Sequence, residues 1–130
     1  MQYFLNDGCL LKRVEEQEVE ARKFGFYWEN LHQLIDQIQS ECREVEDAWN
    51  RNDSSHLKEE VGDLIQASVS LAVFCGLDPH ETLSSSIGKF QRRYDALVQM
   101  ARDDGHSNLH QQPFEILMSY WNRAKVQKDK

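Results

Sequence analysis

The sequence predicts an all-α protein, an antiparallel bundle of four to five helices, and two observations carry that prediction. Apolar residues recur at three- and four-residue spacing, as in Leu31, Leu34, Ile35, Ile38, Cys42, Val45 and Trp49, which is the period of one helix face. Only 6 Gly and 2 Pro occur in 130 residues, and they stand between the periodic stretches rather than inside most of them.

Taken in order, residues 9–24 carry Leu10, Leu11, Val14 and Ala21 among many charges, the pattern of a short, partly exposed helix that Gly25 ends. Phe26, Tyr27 and Trp28 follow as an aromatic cluster at an element boundary. Such a cluster seats the next helix on the core, or presents a face on which a nucleobase stacks. The stripe from Leu31 to Trp49 predicts a helix over 29–50, and the loop at 50–55 (NRNDSS) is rich in turn and N-cap residues. A second stripe, from Leu57 through Val61, Leu64, Ile65, Leu71 and Ala72 to Cys75, predicts a helix over 55–75. A loop this short folds the two helices into a hairpin. Gly62, in mid-helix, costs about 1 kcal/mol relative to Ala and suggests a close backbone approach.

Gly76 caps that helix, and Asp78-Pro79-His80-Glu81 supplies an N-cap, a proline at the first helical position and an acid at the third. The helix so started runs to about Arg102. Residues 103–112 (DDGHSNLHQQ) read as loop, with His106 and His110 as surface histidines. Pro113 opens a last helix to about Val126, and the remainder is a frayed tail.

Two acidic pairs stand out within the hairpin. Glu41/Glu44 and Glu60/Asp63 each have i, i+3 spacing, so each pair shares a helix face. At about 100° per residue, Glu41 and Glu60 fall on the edges of the apolar stripes, with Glu44 and Asp63 one step outward. An ionised group at a core edge needs a partner. Four carboxylates brought together by an antiparallel hairpin repel one another unless a cation sits among them, and Mg²⁺ takes oxygen ligands of this kind. The plainer alternative is four solvated helix-face acids, since the chain has 22 acidic residues and Glu15/Glu18 makes the same spacing. Lys89, Arg92 and Arg93 form a compact basic patch at i, i+3, i+4. It pairs with local acids such as Asp95, or serves as point charges and forked donors for polyphosphate oxygens.

The overall balance narrows the class further. A net charge of -7 and pI near 5.2 argue against a general nucleic-acid binder. No apolar run is long enough for a membrane span, and the N-terminal residues lack the pattern of a secretory signal. Cys9, Cys42 and Cys75 form no CxxC, so reduced thiols in a cytoplasmic protein are expected.

These features together resemble the MazG-like family of all-α nucleoside triphosphate pyrophosphohydrolases. The family pattern of ExxE, a spacer and ExxD is matched by Glu41-Cys-Arg-Glu44 and Glu60-Val-Gly-Asp63, with fifteen residues between. EVEDAW and EEVGDLIQ around the pairs, KFQRRY at residues 89–94 and YWNRAK at residues 120–125 match as well, and Trp28 stands where relatives often carry a tryptophan. The similarity covers roughly residues 26–126, leaving residues 1–25 as an N-terminal helical extension and 127–130 as a tail. Ser40 departs from a glutamate common in relatives, and Glu29-Asn30-Leu31-His32 lacks their Asp-Lys style.

The resemblance implies cleavage of a nucleoside triphosphate between its α and β phosphates, giving monophosphate and pyrophosphate. It implies Mg²⁺, with Mn²⁺ as a substitute, held by Glu41, Glu44, Glu60 and Asp63, with one carboxylate orienting the attacking water. It gives Lys89, Arg92 and Arg93 to the β and γ phosphates and Trp28 to the base, and it implies a homodimer or homotetramer. A specialised relative acting on dUTP, dCTP or phosphoribosyl-ATP shares this chemistry. A helical interaction module is the reading from another class. A di-iron carboxylate bundle fits worst, because of its Glu-x-x-His motifs only Glu29/His32 is present.

Overall fold

A computed structural model describes residues 9–127, and over them the chain is all-α, as the sequence predicts. Five helices follow in order: α1 (Leu10–Phe24), α2 (Leu31–Asn50), α3 (Ser54–Phe74), α4 (Pro79–Asp103) and α5 (Phe114–Val126). Among the described residues there is no strand. No single described helix is both long and apolar enough to cross a membrane. The chain divides into two compact units, meeting at Thr82/Leu83. The expected tail lies, apart from Gln127, outside the described residues, as does the start of the expected extension.

The first unit is built on α3, against which both α2 and α1 pack. Three local devices fix the α2–α3 hairpin. Asn52 takes φ 57°, a left-handed conformation that Asn tolerates better than most residues. Its N–H bonds to the Trp49 carbonyl and that of Asp53 to Ala48, which closes the end of α2. Asp53 then accepts from the His56 N–H at 3.1 Å and caps α3. The connection is therefore only residues 51–53, and α3 has to fold back along α2. Helix α3 ends in the same way at Gly76, φ 75°, where the Leu77 and Gly76 amides return to Ala72 and Val73. Asp78 accepts from the Glu81 amide at 2.9 Å and starts α4, as its sequence signature requires.

Helix α1 is tied to α3 by polar contacts: Gln66 Nε2 donates to Gln17 Oε1 at 3.1 Å and Ser70 Oγ to Glu18 Oε2 at 3.2 Å. Leu34, 1 % exposed, is the largest fully buried side chain among the described residues. Leu34→Ala is expected to destabilise this unit by about 2–5 kcal/mol, read as a lowered urea midpoint with an unchanged slope. Gly62 differs from the expectation. A Cβ there would meet nothing within 4 Å, so no close approach among the described residues requires a glycine.

In the second unit the Phe90 ring meets Trp121 at 5.5 Å and stacks on Tyr94 at 6.1 Å. The Tyr120 hydroxyl donates to Asp104 Oδ2 at 2.6 Å. That bond, together with burial, pushes the phenol above its ordinary pKa. His106 is less free than the sequence suggests: it is half-buried and edge-on to the Tyr120 ring at 6.1 Å. His110 is exposed in the loop.

Candidate active site

The apolar stripe of α2 turns Leu34 and Ala48 inward, and Glu41 lies on the same face. All three are buried. Helix α3 does the same with Glu60. Glu41 and Glu60 are each 7 % exposed, while Glu44 and Asp63 stand outside them, exposed. The inner and outer positions are those that helical periodicity gives.

Across the hairpin, carboxylate oxygens of Glu41, Glu60 and Asp63 all lie within 4.8 Å of one another. The hairpin geometry accounts for this: Glu41 precedes Asn52 by eleven residues and Asp63 follows it by eleven. Glu44 is outside that group of three but close enough to Glu41 to act on it. Burial, and after it the charges of Glu44, Asp63 and Glu60, push the Glu41 carboxyl above its usual range.

One Glu41 oxygen, Oε1, accepts from Gln37 Nε2 at 2.9 Å. The other, Oε2, is buried and has no hydrogen-bond partner among the described residues. Such an atom costs about 1–3 kcal/mol, more for a charged group, unless something electropositive meets it. Three converging carboxylates, one with a buried oxygen lacking a partner, suit a hard divalent cation. This observation is independent of any motif.

Trp28 lies in the first unit. With Tyr27, Glu18, Arg22, Val73 and Phe74 it lines a pocket of about 250 Å³, and the Arg22 guanidinium sits 4.4 Å above the Tyr27 ring. That volume is below the 300–1,000 Å³ typical of pockets for drug-sized ligands, so it suits a single ring system. Lys89, Arg92 and Arg93 lie on α4 in the second unit. Lys89 and Arg92 are exposed and Arg93 is half-buried.

Two residues at the cluster were not singled out by sequence: Gln37 on Glu41, and His56, whose Nε2 is 3.1 Å from Glu60 Oε1. Both are four residues upstream of the glutamate they touch. That spacing was visible, but its meaning depends on the burial of the two glutamates.

Comparison with known proteins agrees with the motifs. Residues 29–98 match the family model described as the MazG nucleotide pyrophosphohydrolase domain. The chain is 31% identical over 116 residues to the nucleoside triphosphate pyrophosphohydrolase/pyrophosphatase MazG of Thermotoga maritima, covering 89% of this chain and 43% of that protein. It is 28% identical over 119 residues to the nucleoside triphosphate pyrophosphohydrolase of Escherichia coli K12, covering 90% and 45%. A 70-residue stretch is 34% identical to the YabN protein of Bacillus subtilis, covering 54% and 14%. The chain thus spans less than half the length of these curated relatives. With the family model matched over more than half of its residues, ExxE and ExxD included, the chain belongs to the MazG nucleotide pyrophosphohydrolase domain family.

Proposed function

We propose that the protein is a Mg²⁺-dependent nucleoside triphosphate pyrophosphohydrolase that cleaves the α–β phosphoanhydride and releases monophosphate and pyrophosphate. The observation that carries this reading is the convergence of Glu41, Glu60 and Asp63, together with a buried Glu41 oxygen that has no hydrogen-bond partner among the described residues. Glu44 joins the set at its outer edge. Mn²⁺ substitutes, since it accepts the same oxygen ligands.

A cation held there supplies positive charge to the α-phosphoryl oxygens and acidifies the attacking water. The chain's own residues do the rest. A carboxylate of the cluster orients that water and takes its proton. Lys89, Arg92 and Arg93 neutralise the β and γ phosphates, a role resting on residue type and the family's basic segment. The Trp28 pocket takes the base. Base stacking contributes about 1–3 kcal/mol, so Trp28→Ala should raise KM roughly tenfold while kcat changes little.

The deciding experiment is pyrophosphate release from a panel of ribo- and deoxynucleoside triphosphates, including dUTP, dCTP and phosphoribosyl-ATP, with and without Mg²⁺. Turnover with Mg²⁺ and none in EDTA supports the reading, and the panel identifies the base. No turnover on any member, together with no effect of Mg²⁺ on the melting temperature, leaves a helical interaction module. A homodimer or homotetramer is part of the proposal, because α4 leaves Leu83, Ile87, Phe90 and Tyr94 exposed at i, i+4, i+7 and i+11. A cytoplasmic site of action accords with the free thiols of Cys9, Cys42 and Cys75.

A further inference from the structure

The two buried glutamates are held in the same manner. On α2, Gln37 Nε2 donates to Glu41 Oε1 at 2.9 Å. On α3, His56 Nε2 lies 3.1 Å from Glu60 Oε1. Each holder is one helical turn upstream of its glutamate, on the same face.

The other side of the imidazole is the basis on which the tautomer is assigned. Nδ1 is 3.4 Å from Arg51 Nη2, and a guanidinium has donors only. Nδ1 therefore accepts, and the proton sits on Nε2, where it is donated to Glu60. Asp53 Oδ2, at 3.7 Å from Nδ1, is beyond hydrogen-bond reach, and Asp53 Oδ1 is used in capping α3. In this tautomer the Nε2 that faces Glu60 carries a proton and offers no lone pair to a metal. Its nitrogen and the oxygens of Glu59 and Glu60 do fall within 4.8 Å of one another, but the ring meets Glu60 as a donor.

Resting on the reading that the carboxylates hold a divalent cation, we propose that His56 is a positioning residue for that site. It fixes the Glu60 carboxylate in its binding rotamer from outside the ligand set, as Gln37 fixes Glu41. A free glutamate gives up rotamer entropy when it is ordered. A side chain that orders it in advance leaves less of that cost to be met when the ion arrives. Loss of such outer partners typically lowers metal affinity about 10–100-fold. The histidine side chain is 44% exposed, so its replacement disturbs less packing than that of a buried residue.

The test is titration of the metal-free 130-residue chain with Mn²⁺ alone, followed by calorimetry, with no nucleotide present. His56→Phe keeps a ring and removes the donor, and should weaken Mn²⁺ binding by about 10–100-fold. His56→Gln restores an N–H at the Gln37-like position and should recover most of the affinity. Gln37→Leu should show a comparable loss on the other helix, and serves as the second variant should His56→Phe fold poorly.

Glu60→Gln separates the two levels of the argument. If it abolishes Mn²⁺ binding while His56→Phe binds as tightly as wild type, the positioning role is wrong and the metal reading stands. If Glu60→Gln binds like wild type, both fall. Failure of His56→Gln to recover affinity removes the donor role. A directly coordinated nitrogen in the spin-echo spectrum of the Mn²⁺ complex would make His56 a ligand and overturn the proposal.

Discussion

Glu60→Gln and Asp63→Asn should each lower nucleotide turnover by about 10³-fold or more at saturating Mg²⁺, with the helical circular-dichroism signal unchanged. The expectation follows from what the substitution removes. An amide keeps the shape of the side chain but not its charge. On the proposed reading the three converging oxygens would then attract a divalent cation less strongly, and the several kcal/mol that such an ion would contribute to transition-state charge would be lost. Each 1.36 kcal/mol is a factor of ten in rate. Glu44→Gln should be milder, about tenfold, because Glu44 lies outside the group of three and acts on Glu41 from beside it. Pyrophosphate release is the measurement. Wild-type rates in either Glu60→Gln or Asp63→Asn would reject the site assignment.

The second large effect concerns stability. The Glu41 carboxyl is raised above its ordinary value of 4.5 by burial and by Glu44, Asp63 and Glu60. Between 4.5 and that raised value the folded state binds more protons at this position than the unfolded state does. Its contribution to stability is thus complete below pH 4.5 and is lost as pH rises through the folded pKa. Metal-free protein in EDTA should accordingly show, relative to Glu41→Gln, a melting temperature that falls with rising pH across this window. Mg²⁺ should remove the difference, because the carboxylate then has a partner when ionised. At a concentration 100 times its Kd, a ligand specific for the folded state adds about 2.7 kcal/mol, a shift of several degrees in melting temperature. The Glu41→Gln chain should be at least as stable as wild type without Mg²⁺ and gain little when it is added. A pH profile identical in the two proteins would show that Glu41 carries no such strain.

Helix positions were legible in the sequence because their ends are written in local chemistry. Asp78-Pro79 starts α4, Gly76 closes α3, and Asn52 with Asp53 makes the hairpin turn. The inner and outer acids were legible too, since periodicity alone separates Glu41 and Glu60 from Glu44 and Asp63. The roles of Gln37 and His56 were not. In a chain with 22 acidic residues, a donor four residues before a glutamate means little until the glutamate is known to be buried. The division at Thr82/Leu83 was equally hidden, because the α4 pattern runs through it without a break. Gly62 misled, since helix propensity says what a glycine costs but not whether anything approaches it.

The three-residue connection between α2 and α3 works as a gauge block. A residue added between Asn50 and Ser54 that carried the cap forward with α3 would turn that helix by about 100° and slide it by about 1.5 Å, and the carboxylates would face different neighbours. Length variation is therefore costly at this tip, whatever residues occupy it. The longer stretch between α4 and α5 sets no such spacing between the acids.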